Sequence, residues 1–479
     1  MTAEDAIATY LPGAAEGPDA FALAKAISDR RLSAERLMEA TLAQIAATND
    51  KVNAIVSLRP EAELFDEAAS ADKRAPQGPL HGLPIAIKDL ADAKGLPTSQ
   101  GSPVFAGQIA AQDSPHVARL RAAGALIIGK TNTPEFGLGS NTYNPVHGIT
   151  INPYHSTRTC GGSSGGAAVA LACGMLAIAD GSDMMGSLRN PAGWNNVYGM
   201  RPSWGQVPGD PNGDPFLHRL STNGPMARSP ADLALQLTVL VGADVSGAGL
   251  SQIRLPKAQA RGTRIGWLSD WGGAWPFESG ILELCETALG VLGDLGAQVD
   301  ALPPPFDRDA LWQSWTRLRS LAIAAALQPL RDDPKLADQL KPEAIWEVDQ
   351  TLALSGIDIN RASAIRADWW RAAMTLFEGY DALALPTAQC WPFPSNLDWP
   401  KTVAGEKMDT YHRWMEVTIP ASLLGLPVLA VPAGFGEAGL PMGLQLIGRP
   451  HSDVALLDLA EAYHDATRWP QRVPPALLA

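Results

Sequence analysis

Two serine-bearing turns lie close together in the first half of the chain. One is Cys160-Gly161-Gly162-Ser163-Ser164-Gly165-Gly166; the other, after a run of small residues, is Asp180-Gly181-Ser182-Asp183-Met184-Met185-Gly186-Ser187-Leu188-Arg189. Upstream, the apolar run Leu83-Pro84-Ile85-Ala86-Ile87 ends in Lys88-Asp89, the pattern of a buried strand that delivers a lysine at its end. A serine hydroxyl becomes a useful nucleophile when a neighbouring base takes its proton, and a lysine is such a base only when uncharged. Burial favours the uncharged form, and moving a lysine from about 10.4 to roughly 7 to 8 corresponds to on the order of 4 kcal/mol. Glycines around Ser163 and Ser164 permit close backbone approach and angles closed to other residues. The serines of both turns and Lys88 are therefore candidates for nucleophilic catalysis.

These residues need a rigid frame. The run from Ala167 to Cys173 is helical by propensity and nearly without bulk, which suits a buried helix fixing one serine turn against the other. Asp183 and Arg189 can pair across the second turn. Elsewhere helical and strand patterns alternate: helices over 19–48, the second capped by Ser33, and over 61–73, 114–123, 230–240, 283–295 and 452–467; strands over 125–128, 264–268, 382–387, 427–431 and 443–448. Alternation of this kind predicts an α/β fold. A Pro- and Gly-rich stretch over 207–214 reads as a loop. From about 306 to 378 the pattern turns helical, with Trp312, Trp315, Trp346, Trp369 and Trp370.

The segments Gly82–Asp89, Gly129-Lys130-Thr131-Asn132, Gly161–Gly166 and Gly181–Ala192 together, in this order, resemble the amidase signature family. Asn53-Ala54, Gly199–Ser203, Gly425-Leu426-Pro427 and Gly443–Leu446 extend the resemblance over most of the chain. It implies a large twisted mixed β-sheet flanked by helices, one domain over 1–479 with a signature core at 75–210, and a variable tryptophan-rich helical cap at 306–400. It further implies Ser187 as nucleophile, Ser163 as a bridging serine reached through a non-proline cis peptide, and Lys88 as neutral base, with Ser164, Asp183 and Arg189 in support. The backbone N–H groups of Met184, Met185, Gly186 and Ser187 would form an oxyanion hole. Met185 stands where the family usually has a second glycine, so an ordinary negative φ is expected there. Thr98–Ser102 is similar to the family's substrate-side turn, and Gly137, Cys160, Cys390 and Trp391 are expected at the substrate pocket.

Two other motifs give way on context. Gly124–Thr131 fits G-x-x-x-x-G-K-T letter for letter, but the residues between its glycines read as a strand, where a phosphate loop would need a turn. Gly162–Gly166 contains G-x-S-x-G, which would make Ser164 the nucleophile with His412, His451 or His464 as partner; those histidines are expected in polar, structural settings.

Composition narrows the classes. Hydrophobic residues make up 46% and charged residues 18%, with a net charge of −13, which disfavours disorder, nucleic acid and anionic membranes. The N-terminus lacks a secretory pattern and no apolar run spans a membrane, so a cytoplasmic protein is expected. Cys160, Cys173, Cys285 and Cys390 have no paired spacing, and neither a disulfide framework, a metal nor a cofactor is expected. The resemblance points to a small-molecule amide as substrate, hydrophobic or aryl on one side, handled by a monomer or homodimer. Carbamates (urethanes) are the near alternative. A glutaminase subunit of a tRNA-dependent amidotransferase and a non-catalytic binding protein stand further off.

Overall fold

The glycines of the first serine turn set how tightly the central layers pack. A Cβ on Gly166 would sit 2.3 Å from the Asn132 nitrogen and 2.6 Å from the Ala54 oxygen, so only glycine lets the helix Gly165–Ala172 lie on the strand beside it. Every residue of that helix is buried. The computed structural model describes residue 7 and residues 19–209, 219–242 and 252–478. Part of the loop expected over 207–214, from 210 on, lies outside the described residues.

Eight strands form the main sheet, in the order Gln298–Ala301, Arg264–Trp267, Ala382–Pro386, Pro441–Gly448, Val428–Phe435, Tyr198–Arg201, Thr222–Ala227, Ile178–Asp183. Arg264–Trp267 runs parallel to both neighbours and the remaining pairs are antiparallel. The sheet is mixed, as the resemblance implied. Helices cover it, among them Pro230–Leu240, Ile281–Asp294 and Asp453–Thr467. A second sheet holds Leu126–Thr131 between Ile55–Val56 and Pro84–Lys88. Its edge strand Pro84–Lys88 lies against Ile178–Asp183, the edge of the main sheet, and the Lys88 N–H donates to Asp180 Oδ1 across the join at 2.8 Å. Both serine turns open at this seam.

Helix Ala34–Val52 begins as the sequence indicates, with Ser33 accepting from the Arg36 N–H. Over 306–379 the chain forms the helices Arg308–Asp332, Pro334–Ala337, Pro342–Leu352 and Gly356–Gly379. The span to 400 is not wholly helical: Ala382–Pro386 is an inner strand of the main sheet. No helix among the described residues is long and apolar enough to cross a membrane.

Candidate active site

Lys88 ends the Pro84–Lys88 strand, whose five residues are all buried, and is itself 1% exposed. Its Nζ lies 2.8 Å from Ser163 Oγ, 2.9 Å from Ser164 Oγ and 3.0 Å from Ser182 Oγ. A neutral amine has two donors and one lone pair, so three hydroxyls can satisfy it while one of them gives its proton toward nitrogen. Burial pushes Lys88 down to about 7, against the opposing pull of the Asp180 and Asp183 carboxylates. The Gly162–Ser163 peptide is cis.

Ser187 sits in a turn held by one carboxylate. Asp183 Oδ1 accepts from the Gly186 N–H and Oδ2 from the Leu188 N–H, each at 3.0 Å. Arg189, completely buried, donates to both of these oxygens and also to Thr418 O, Gln445 Oε1 and Ser422 Oγ. All five guanidinium N–H groups are thereby used. Burial alone would raise Asp183, but Arg189 and Arg201 hold its carboxyl well below the usual range. Burial lowers Arg201 to about 10, and Asp183 opposes that shift.

This clamp corrects the expected oxyanion hole. Gly186 does not offer its amide, because Asp183 occupies it. The amides of Met184, Met185 and Ser187 have no partner among the described residues. Met185 is absent from the residues with positive φ, whereas Gly186 has φ +85°; the turn thus places its one left-handed residue at the glycine, where it is tolerated.

Ser163, Ser182 and Ser187 open onto a cavity of about 120 Å³. Its apolar lining includes Leu90, Phe136, Leu138, Met184, Met185 and Met415, and Arg319 and Ile323 reach it from the Arg308–Asp332 helix. Ser187 is 8% exposed, and its hydroxyl has no hydrogen-bond partner among the described residues. Gly137 lines the cavity at φ +69°, and a Cβ there would stand 3.4 Å from Ser163 Oγ and 2.8 Å from Leu90.

Three pocket residues expected from sequence lie elsewhere. Cys160 is in the apolar core behind the turn, with its thiol on Thr150 O. Cys390 is buried among the tryptophan-rich packing, and Trp391 is fastened to Glu278 and Ser279. The strand Ala382–Pro386 ends in this packing. Tryptophans do not wall the cavity either. Trp271, Trp315, Trp369 and Trp414 are buried instead in the apolar core that also holds Cys390. The Thr98–Ser102 turn also stays outside the lining; Ser99 binds the Asp89 carboxylate.

The rejected motifs resolve physically. Leu126–Thr131 is a strand, and Lys130 is buried on Ala91 O, Thr98 Oγ1 and Asp89. Ser164 Oγ meets Lys88 and no histidine. His464 bonds Tyr198, and His451 bonds Gln206. His412 is not in a polar setting: it is wholly buried against Trp312, Trp346 and Tyr411. Among the described residues no group of three or more His, Cys, Asp or Glu could hold a metal ion.

Sequence reasoning assigned no role to Ser182 or Arg319. Ser182 had a signal, since it lies two residues after Asp180 on the strand Ile178–Asp183 and so shares its face toward Lys88. Arg319 had a fainter one: it falls on the buried stripe of Leu311, Trp315 and Leu318, a charge where apolar periodicity asks for none.

The amidase model matches residues 36–457 of the 479. The chain belongs to the amidase signature family. It is an amide C–N hydrolase by that membership. Its relatives include an acylamidase of Rhodococcus erythropolis, 32% identical over 468 residues that cover 94% of this chain and 96% of the relative. A glutamyl-tRNA(Gln) amidotransferase subunit from Chloroflexus aurantiacus is 35% identical over 475 residues, covering 92% and 95%. Among solved structures, a bacterial aryl acylamidase of the amidase signature family superposes with a TM-score of 0.87 at 28% identity, covering 94% of this chain and 97% of that one.

Proposed function

We propose that this amidase cleaves hydrophobic or aryl amides through an acyl-enzyme on Ser187, with Ser163 relaying the Ser187 proton to neutral Lys88. The observation that carries the reading is the Lys88 amine, buried, pushed down to about 7 and 2.8 Å from Ser163 Oγ. Ser187 Oγ attacks the carbonyl carbon while its proton passes to Ser163 Oγ and the Ser163 proton passes to Nζ. Negative charge then gathers on the carbonyl oxygen, where the amides of Met184, Met185 and Ser187 are the available donors. Lys88, now an ammonium, returns a proton through Ser163 to the departing nitrogen, and the C–N bond breaks. Water deacylates by the same relay. An unbonded Ser187 hydroxyl fits this order, since catalytic hydrogen bonds often tighten only around substrate.

The lining supports the substrate class, because methionine, leucine and phenylalanine side chains favour an apolar group beside the scissile bond. The names of the Rhodococcus relative and of the aryl acylamidase structure lean the same way. Glutamine carries both an ammonium and a carboxylate; no acidic side chain lines the cavity among the described residues, which disfavours the amidotransferase reading. Carbamates can enter the same Ser187 chemistry. Matched amide and carbamate derivatives of one chromogenic amine measure that preference. The test of the whole reading is trapping with a serine-directed phosphonate followed by peptide mapping. Label on Ser187 and loss of amide hydrolysis in Ser187→Ala are expected; label elsewhere with full activity in Ser187→Ala would refute it.

A further inference from the structure

Arg319 is the one charged side chain among the described residues lining the serine cavity, and it is 4% exposed. Its charge is already matched: Glu347, fully buried, forms an ion pair with Nη1, and Tyr411 joins the two by accepting from Nη2 at 2.7 Å and donating to Glu347 Oε1 at 2.6 Å. Its Nε, however, has no hydrogen-bond partner, and because it is sealed from the cavity an acceptor reaches it only as the side chain turns. A buried donor without a partner is a destabilised group that gains whenever an acceptor arrives. The rest of the wall consists of apolar side chains, glycines and the hydroxyls of Ser163, Ser182, Ser187 and Ser221.

Resting on the reading of this cavity as the substrate site, we propose that Arg319 is a specificity-determining residue that selects amides bearing a second, uncharged hydrogen-bond acceptor, such as a ketone, ester or further amide carbonyl. The neutral acceptor follows from Glu347. A substrate carboxylate would meet a guanidinium whose charge is spoken for and would face the Glu347 carboxylate behind it; a carbonyl needs only the free N–H. Plain alkyl amides leave that donor unpaired, and polar sites discriminate strongly against analogues that do so.

The experiment compares kcat/KM for 4-nitroanilides of heptanoic acid, of its 4-, 5- and 6-oxo derivatives and of pimelic acid, and for heptanoyl amides of 3-ethylaniline and 3-acetylaniline. At least one carbonyl-bearing substrate is expected to exceed its hydrocarbon counterpart by roughly 10-fold or more, and the pimelic anilide is expected to show no such gain. In Arg319→Met the ratio falls to about 1, with phosphonate labelling of Ser187 reporting that the site is still assembled. Glu347→Gln, which unmasks the guanidinium charge, is expected to shift preference toward the pimelic anilide. The proposal is overturned if no carbonyl substrate gains, if the gain survives Arg319→Met, or if wild type prefers the carboxylate. Failure of every amide to react, with Ser187 unlabelled, would instead remove the underlying function.

Discussion

The sharpest quantitative consequence concerns how acylation follows pH. Burial moves Lys88 from 10.5 to about 7, a change worth on the order of 5 kcal/mol. With that value, about one enzyme in eleven carries a neutral base at pH 6 and about ten in eleven at pH 8. Acylation should therefore rise roughly tenfold between pH 6 and 8 and level off above. An unshifted lysine would behave differently: about one in 3,000 molecules would be active at pH 7, and the rate would climb about tenfold per pH unit until near pH 10. Stopped-flow release of 4-nitroaniline in the first turnover isolates this step from deacylation. A log-linear rise with unit slope through pH 9, or a flat profile from 6 to 8, would refute the buried neutral amine as base.

Stability follows the same group. Because the folded value lies below the unfolded one, the unfolded chain binds the extra proton between about 7 and 10.5, and stability rises with pH in that window. Urea titrations should show wild type gaining on Lys88→Met by about 1.4 kcal/mol per pH unit there and not below it. Arg189→Met leaves the Asp183 carboxylate buried with fewer partners, so a loss of roughly 3 to 5 kcal/mol in the same assay is expected. Gly137→Ala strains a positive φ and crowds Leu90 and Ser163; steady-state kinetics should register a lower kcat with the melting point shifted by only a few degrees, by about 1 to 2 kcal/mol of strain. Ser182→Ala removes one of three hydroxyls on Nζ and should displace the acylation pH profile while leaving Ser187 reactive toward the phosphonate.

Local signals were read well where one energy term dominates. The apolar run before Lys88 forms the buried strand its pattern suggested, Ser33 caps its helix, and Pro230–Leu240 starts at a proline after Ser229. The glycines of the first turn announced close packing, and the structure places Asn132 and Ala54 against them. Long-range choices were harder. Cys160 and Trp391 neighbour promising residues in sequence, yet their side chains point into packing that depends on distant strands and helices. Tryptophans suggested a lid because they cluster along the chain, but large rings gain most by full burial, and that is where they went. Arg319 stands out locally as a charge on an apolar stripe, but its place at the cavity depends on a helix far downstream of the Ser187 turn folding back over it, and no local pattern encodes that distance.

The amine and the Ser187 turn come from opposite sides of the join between two sheets, riveted at Lys88 N–H to Asp180. A slip of an ångström between the sheets would separate proton donor from acceptor while leaving nearly every strand and helix intact. Heating should consequently silence turnover before circular dichroism reports any melting, so thermal inactivation in this enzyme reads out the cohesion of a boundary and not the loss of secondary structure.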